Sequence, residues 1–140
     1  MNAPDVPIEH NPHCLGCGSR NPSSLGFTVD HVEPGRLRAR VAFTQAHEGG
    51  VGRVHGGAVA TALDEVIGRL GHYEVEGRDC VTAEMQVRYL LPTVTGAECT
   101  AEAVLTRREG RKLWITAELR AGDAVQATAT GLMIELRSAA

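Results

Sequence analysis

Residues able to do chemistry are concentrated in one segment, Val54-His55-Gly56-Gly57-Ala58-Val59-Ala60-Thr61-Ala62-Leu63-Asp64-Glu65. Adjacent glycines have low helix propensity. At a helix start, however, they let a ligand approach backbone N–H groups that no intrahelical acceptor satisfies. Those amides and the positive end of the helix dipole suit an oxyanion or a phosphate. The same Gly56-Gly57 pair is also explained if it only shapes a turn. Asp64 sits among Gly57, Thr61, Gly68 and Gly71 beside an apolar stripe, where a carboxylate must be partnered, shifted in pKa or used. A solvated helix edge shared with Glu65 is the plainer reading of that acid. Cys14 and Cys17 stand two residues apart with His10 and His13 close by, enough for four metal ligands. Gly16 and Gly18 account for a turn there without metal, and a second separated ligand pair is missing, so no metal is assigned.

The elements that must position these groups are legible as periods. Val59, Ala62, Leu63, Val66, Ile67 and Leu70 follow the spacing of one helical stripe and predict a helix from 57 to about 74. Before it, 25–32 and 37–43 read as two strands around a Pro34-Gly35 turn. After it the period is two. Val81, Ala83, Met85, Val87 and Tyr89 fall on one side, and alternation returns at 99–105, 113–119 and 125–133. The junctions at Pro92, Thr95-Gly96, Glu109-Gly110 and Gly122-Asp123 are short enough to favour antiparallel neighbours. The expected architecture is α+β, one long helix held against an antiparallel sheet of about six strands. Residues 1–22, rich in proline, read as an irregular N-terminal arm before a single domain over 23–140.

Composition narrows the function classes. With 140 residues, 43% apolar and 22% charged, the chain has the make-up of one globular domain. A formal charge of −3, with 14 Lys plus Arg against 17 Asp plus Glu, supplies no field for a polyanion, so nucleic acid is not an expected partner. No run approaches the roughly 18 apolar residues of a membrane span, and the opening MNAPDVPIEH lacks the marks of a signal peptide. A cytoplasmic protein without a membrane partner is expected. Its four cysteines are expected as free thiols.

The segment His55-Gly56-Gly57 with Asp64 nine residues after His55 resembles the signature of the hotdog-fold acyl-CoA thioesterases of the PaaI-like type. The similarity extends through Val81 to Pro92, where that family has a strand ending in Tyr-x-x-Pro, here Tyr89 to Pro92, and through Gly96. It spans about residues 25 to 136. The lead-in Cys14-Leu15-Gly16-Cys17-Gly18 with Asn21-Pro22 is similar to that of some uncharacterised members. The resemblance implies a hotdog fold, a central helix wrapped by a curved sheet, and metal-free, cofactor-free hydrolysis of an acyl-CoA substrate. It implies that the Gly56 N–H polarises the thioester carbonyl beside Gly57, and that Asp64 is base or nucleophile. It also implies that Thr82 holds the water or acyl group. His55 then orients the loop. Many members carry Asn or Gln where this chain has Gly49, so that contact with the thioester oxygen is either lost or replaced, with Gln45 and His47 as the nearby candidates. Arg107, Arg108 and Arg111, with Lys112, are expected to meet coenzyme A phosphates.

Geometry adds an expectation of its own. Gly56 and Asp64 are eight residues apart on one helix, roughly 12 Å along its axis. Donor and base must both reach one carbon, so a single chain cannot complete the site. Two antiparallel helices about a twofold would set Gly56 of one protomer against Asp64 of the other. The family resemblance agrees, implying an obligate homodimer, with a dimer-of-dimers tetramer as a further arrangement.

Overall fold

The computed structural model describes residues 11–137. Strands β1 (Thr28–Glu33) and β2 (Arg36–Ala42) form a hairpin closed at Pro34-Gly35, where Gly35 takes a left-handed φ of 83°. A 3-10 turn over Gln45–His47 leads to the helix α1 (Gly56–Glu74). Strands β3 (Cys80–Tyr89), β4 (Glu98–Glu109), β5 (Lys112–Ala121) and β6 (Ala124–Glu135) follow. All six strands join one antiparallel sheet in the order β1-β2-β4-β5-β6-β3. Among the described residues no helix is long and apolar enough to cross a membrane.

The stripe Val59, Ala62, Leu63, Val66, Ile67 and Leu70 is fully buried, as its spacing requires. It meets the inward residues of the sheet, Leu37, Ala39 and Val41 of β2, Ala101 and Ala103 of β4, and Leu113, Ile115 and Leu119 of β5. Burying each Leu, Ile or Val side chain contributes about 1.5–3 kcal/mol, so this contact is the main force holding α1 in place. Alanines in the sheet let the helix lie close. At Gly131 of β6 a Cβ would come within 3.1 Å of Ile67, so this glycine admits the helix against the strand. Part of the small-residue face of α1 meets the chain's own sheet too: a Cβ on Gly71 would meet Met133 at 3.3 Å and Cys80 at 3.4 Å.

Two features differ from the sequence expectation. First, β3 does not pair with β4, its successor. It crosses to the far edge and pairs with β6, because the connection through Pro92 runs over the end of the sheet instead of turning back. That connection is tied down by Leu90 and Leu91 N–H donating to the Gln126 carbonyl, Val54 N–H to Thr93 and Gly96 N–H to Phe43. Second, the alternation in β3 does not bury one face. A bulge between Thr82 and Glu84 shifts its register, and Val81 and Tyr89 are 44% and 53% exposed. The described part of the N-terminal arm consists of turns and is fastened: Leu25 N–H donates to Leu15 and Phe27 N–H to Gly16. His10 lies outside the described residues.

Candidate active site

The start of α1 is shaped by one imidazole. His55 is the N-cap, and its Nδ1 accepts the Gly57 N–H at 2.8 Å. An Nδ1 that accepts leaves the proton of a neutral ring on Nε2. A Cβ on Gly57 would stand 3.0 Å from that Nδ1, so glycine is what lets the ring close over the helix end. With Gly57 N–H taken by His55, the free donor is Gly56 N–H, for which the helix offers no acceptor and the described residues supply none. The Tyr89 hydroxyl donates to the Gly56 carbonyl at 2.7 Å and so fixes this residue to the end of β3. A cavity of about 280 Å³ lies here, lined by Val54, Gly56, Val59, Tyr89, Leu91 and Pro92. A second of about 380 Å³ lies on the other flank, bordered by Leu15, His47, His55, Gly57 and Thr61.

Two turns along α1, Asp64 is half-buried, and the Thr82 hydroxyl donates to its Oδ1 at 2.7 Å. The same hydroxyl lies 3.3 Å from Met133 Sδ. The structure thus brings Asp64 and Thr82 together from α1 and β3, although 18 residues separate them. Asp64 is thus a partnered carboxylate at a partly exposed edge of the helix. A carboxylate held by one hydroxyl keeps lone pairs for water or another donor.

His47 serves elsewhere. Its Nδ1 accepts the Thr44 N–H at 3.0 Å and its Nε2 contacts the Ser23 carbonyl at 2.9 Å, while its ring stands edge-on to Phe43. Both nitrogens are engaged, and the residue is buried. It therefore cannot stand in for the Asn or Gln expected at Gly49, because its polar atoms already join the arm to the 3-10 turn. It supports the site through its backbone, whose carbonyl accepts the His55 N–H at 2.8 Å. The arginines are also placed differently from expectation. Arg108 Nη1 donates to the Glu74 carbonyl at 3.0 Å, Arg111 Nη1 donates to the Glu135 carbonyl at 3.1 Å, and Arg107 pairs with Glu109 over the Trp114 ring. Arg108 thus reaches the C-terminal end of α1, the end away from Gly56, while Arg111 and Arg107 are held by β6 and by the β4–β5 hairpin itself.

A third group lies beside Asp64. Glu65 faces the arm, where Cys14 Sγ is 3.7 Å from its Oε2, and Arg69 Nε is 3.7 Å from its Oε1. Burial, then the Glu65 charge, pushes the Cys17 thiol well above the ordinary thiol range. Sequence reading missed Tyr89, Met133 and Glu65 as members of these clusters. The spacing of Tyr89 to Pro92 was the available signal for the first, and none pointed to the other two.

The thioesterase superfamily model matches residues 51–128, which hold the glycine helix start, Asp64, Thr82 and Tyr89. The chain belongs to the thioesterase superfamily. A curated relative, the acyl-coenzyme A thioesterase THEM4 of Bos taurus, is 31% identical over 91 residues, 64% of this chain and 36% of that protein. The chain thus spans about a third of that relative's length. A phenylacetic acid degradation-related protein of Ralstonia eutropha JMP134 superposes with a TM-score of 0.74 at 28% identity, covering 79% of this chain and 85% of that one. The Escherichia coli PaaI protein superposes with a TM-score of 0.75 at 18% identity, covering 81% of each chain, a likeness of fold. The long helix within a six-stranded antiparallel sheet is the hotdog fold of PaaI-type thioesterases.

Proposed function

We infer that this thioesterase hydrolyses an acyl-CoA substrate to a carboxylic acid and free coenzyme A, at a site completed by a second copy of the chain. The observation that carries this reading is the separation of two prepared groups on one helix: a free Gly56 amide at its mouth and the Asp64 carboxylate held by Thr82 two turns on. The Gly56 N–H of one protomer would receive the developing oxyanion. Asp64 of the other would activate water or attack the thioester carbon itself, with Thr82 orienting its carboxylate. With Asp64 as base, it takes a proton from the water whose oxygen bonds to the acyl carbon, the carbon–sulfur bond breaks, and that proton passes to the departing sulfur to give the free thiol. With Asp64 as nucleophile, its oxygen displaces the sulfur, which takes a proton from water, and a second water cleaves the resulting anhydride to release the acid.

An exposed strand edge supports the second copy. Tyr89, Leu90, Leu91 and Val94 form an apolar stretch at the end of β3, and β3 pairs on one side only. Such edges and patches need cover. An obligate homodimer about this edge follows, with a pairing of dimers open to it and a cytoplasmic setting in keeping with its thiols. A catalytically silent acyl-CoA binder is the second reading, favoured by Gly49: the position abuts His55, with a Cβ there 3.2 Å from His55 Cα, and carries no amide side chain to assist Gly56.

Complementation tests both points. Gly56→Pro removes the N–H, and Asp64→Asn removes the charge. If each variant alone is inactive, a dimer re-formed from both contains one intact site only when the site is shared between chains. A random mixture should then regain about one quarter of the wild-type rate. No recovery in mixed dimers would place the site within one chain, and no hydrolysis by the wild type across a panel of acyl-CoA esters would favour the binder.

A further inference from the structure

Among the described residues, Cys14, Cys17 and Glu65 form a set of ligand-type side chains outside the site just described, with ligand atoms that all lie within 4.8 Å of one another. We propose that these three residues bind a borderline-soft divalent cation of the zinc type, which clasps the N-terminal arm to α1.

The spacing is compatible with ligation. Tetrahedral zinc, with Zn–S near 2.3 Å and Zn–O near 2.0 Å, sets its sulfur and oxygen ligands about 3.5 Å apart. Cys14 Sγ stands 3.7 Å from Glu65 Oε2. Gly16, between the cysteines, does not have a left-handed φ. Its missing side chain serves proximity: a Cβ there would overlap the Glu65 carboxylate. The turn therefore lies directly against this acid in the present arrangement. Gly18 keeps the turn tight, since its Cβ would strike the backbone of Cys14 and Pro12, and Gly18 N–H donates to the Cys14 carbonyl at 2.8 Å.

Charge also balances. Two thiolates, one carboxylate, a divalent ion and the Arg69 guanidinium beside Glu65 sum to zero in a half-buried place, where a net charge would be costly. Glu65 can give Oε2 to the metal while Oε1 faces Arg69, the kind of outer partner that orients a ligand. Two thiol protons leave to solvent for each ion bound, and water completes the fourth position. Glu65, not the exposed His13, is the third ligand-type side chain beside the two cysteines. The clasp has a consequence for the cavity on the His55 flank, because Leu15, between the two cysteines, is part of its wall.

The test uses the full chain, kept reduced with a phosphine and titrated with Zn²⁺ or Co²⁺ alone. One ion per chain is expected, with release of two protons and a thiolate-to-cobalt charge-transfer band. Cys14→Ser should halve that band's intensity per bound ion. Cys14→Ser and Glu65→Gln should each weaken Zn²⁺ binding by more than the roughly 10- to 100-fold that loss of an outer partner costs. Chelation should lower the unfolding midpoint of the wild type and leave that of the Cys14→Ser, Cys17→Ser double variant unmoved. Wild-type protein that takes up no stoichiometric zinc overturns the proposal without any variant. Affinity unchanged in Cys14→Ser would do so equally.

Discussion

The two ends of α1 carry opposite partial charges of similar size, yet the chain treats them differently. At the C-terminal end, Val75 N–H returns to Gly71, Gly77 N–H to His72 at 2.8 Å, and Arg108 reaches the Glu74 carbonyl. Cys80 packs nearby against the Gly71 backbone. At the N-terminal end His55 takes one amide and leaves the Gly56 N–H open between two cavities. The comparison shows that charge alone does not make a binding site. The arginines of the closed end are already spent on carbonyls and carboxylates, while an unfilled amide with room beside it keeps its donor capacity for a ligand.

The sharpest way to break this contrast is Asp64→Asn. The amide keeps an acceptor for Thr82 but cannot take a proton, so hydrolysis measured by thiol release should fall by about 10²–10⁴ with the melting temperature nearly unchanged. A loss below threefold would remove Asp64 from the chemistry. Gly56→Pro should cost about 10²–10³ in rate. Proline is favoured at the first helical position, and His55 already has the extended ψ of 137° that a following proline requires. Normal activity in a folded Gly56→Pro protein would show that the open amide is not used.

His47→Ala should act on stability first. It strands the Thr44 N–H and the Ser23 carbonyl, each at a cost of about 1–3 kcal/mol, readable as a lower urea midpoint. The folded fraction should retain its rate to within tenfold. A large loss of rate with stability intact would return His47 to the substrate. Smaller still is the expected effect of Arg108→Ala with Arg111→Ala, about 1 kcal/mol or less for groups this exposed. KM for an acyl-CoA ester should stay within twofold; a tenfold rise would mean that the closed end reaches coenzyme A in the assembled protein.

A separate effect concerns the closed end at high pH. Burial, then the Glu135 charge, pushes the Cys80 thiol from the ordinary 9.0 up to about 11. Between those values the unfolded chain has lost this proton and the folded chain keeps it, so stability falls as pH rises from 9.0 to about 11 and levels beyond. Cys80→Ala should flatten part of that slope in urea titrations at stepped pH. An unchanged slope would assign the alkaline loss to other groups.

Much of this was legible beforehand for a physical reason. Val59 to Leu70 carry a helical period and Leu37 to Val41 a strand period, and periods report which side of an element faces the core. The glycine helix start was visible because its residue types are rare inside helices. His47 misled because its type suggested a ligand contact, whereas its surroundings, Ser23 and Thr44, use both nitrogens. The arginines misled because a charged hairpin tip does not reveal which end of the helix it covers.

The sequence by itself determined the helix, the strands, their inward faces and the amide-bearing helix start, since each depends on neighbours a few residues away. Only the tertiary structure decided that β3 crosses to β6, that Thr82 lies on Asp64 and that Cys14 meets Glu65. Those pairings join residues 18 to 55 positions apart. They depend on the path the chain takes over the end of the sheet, which no local period encodes.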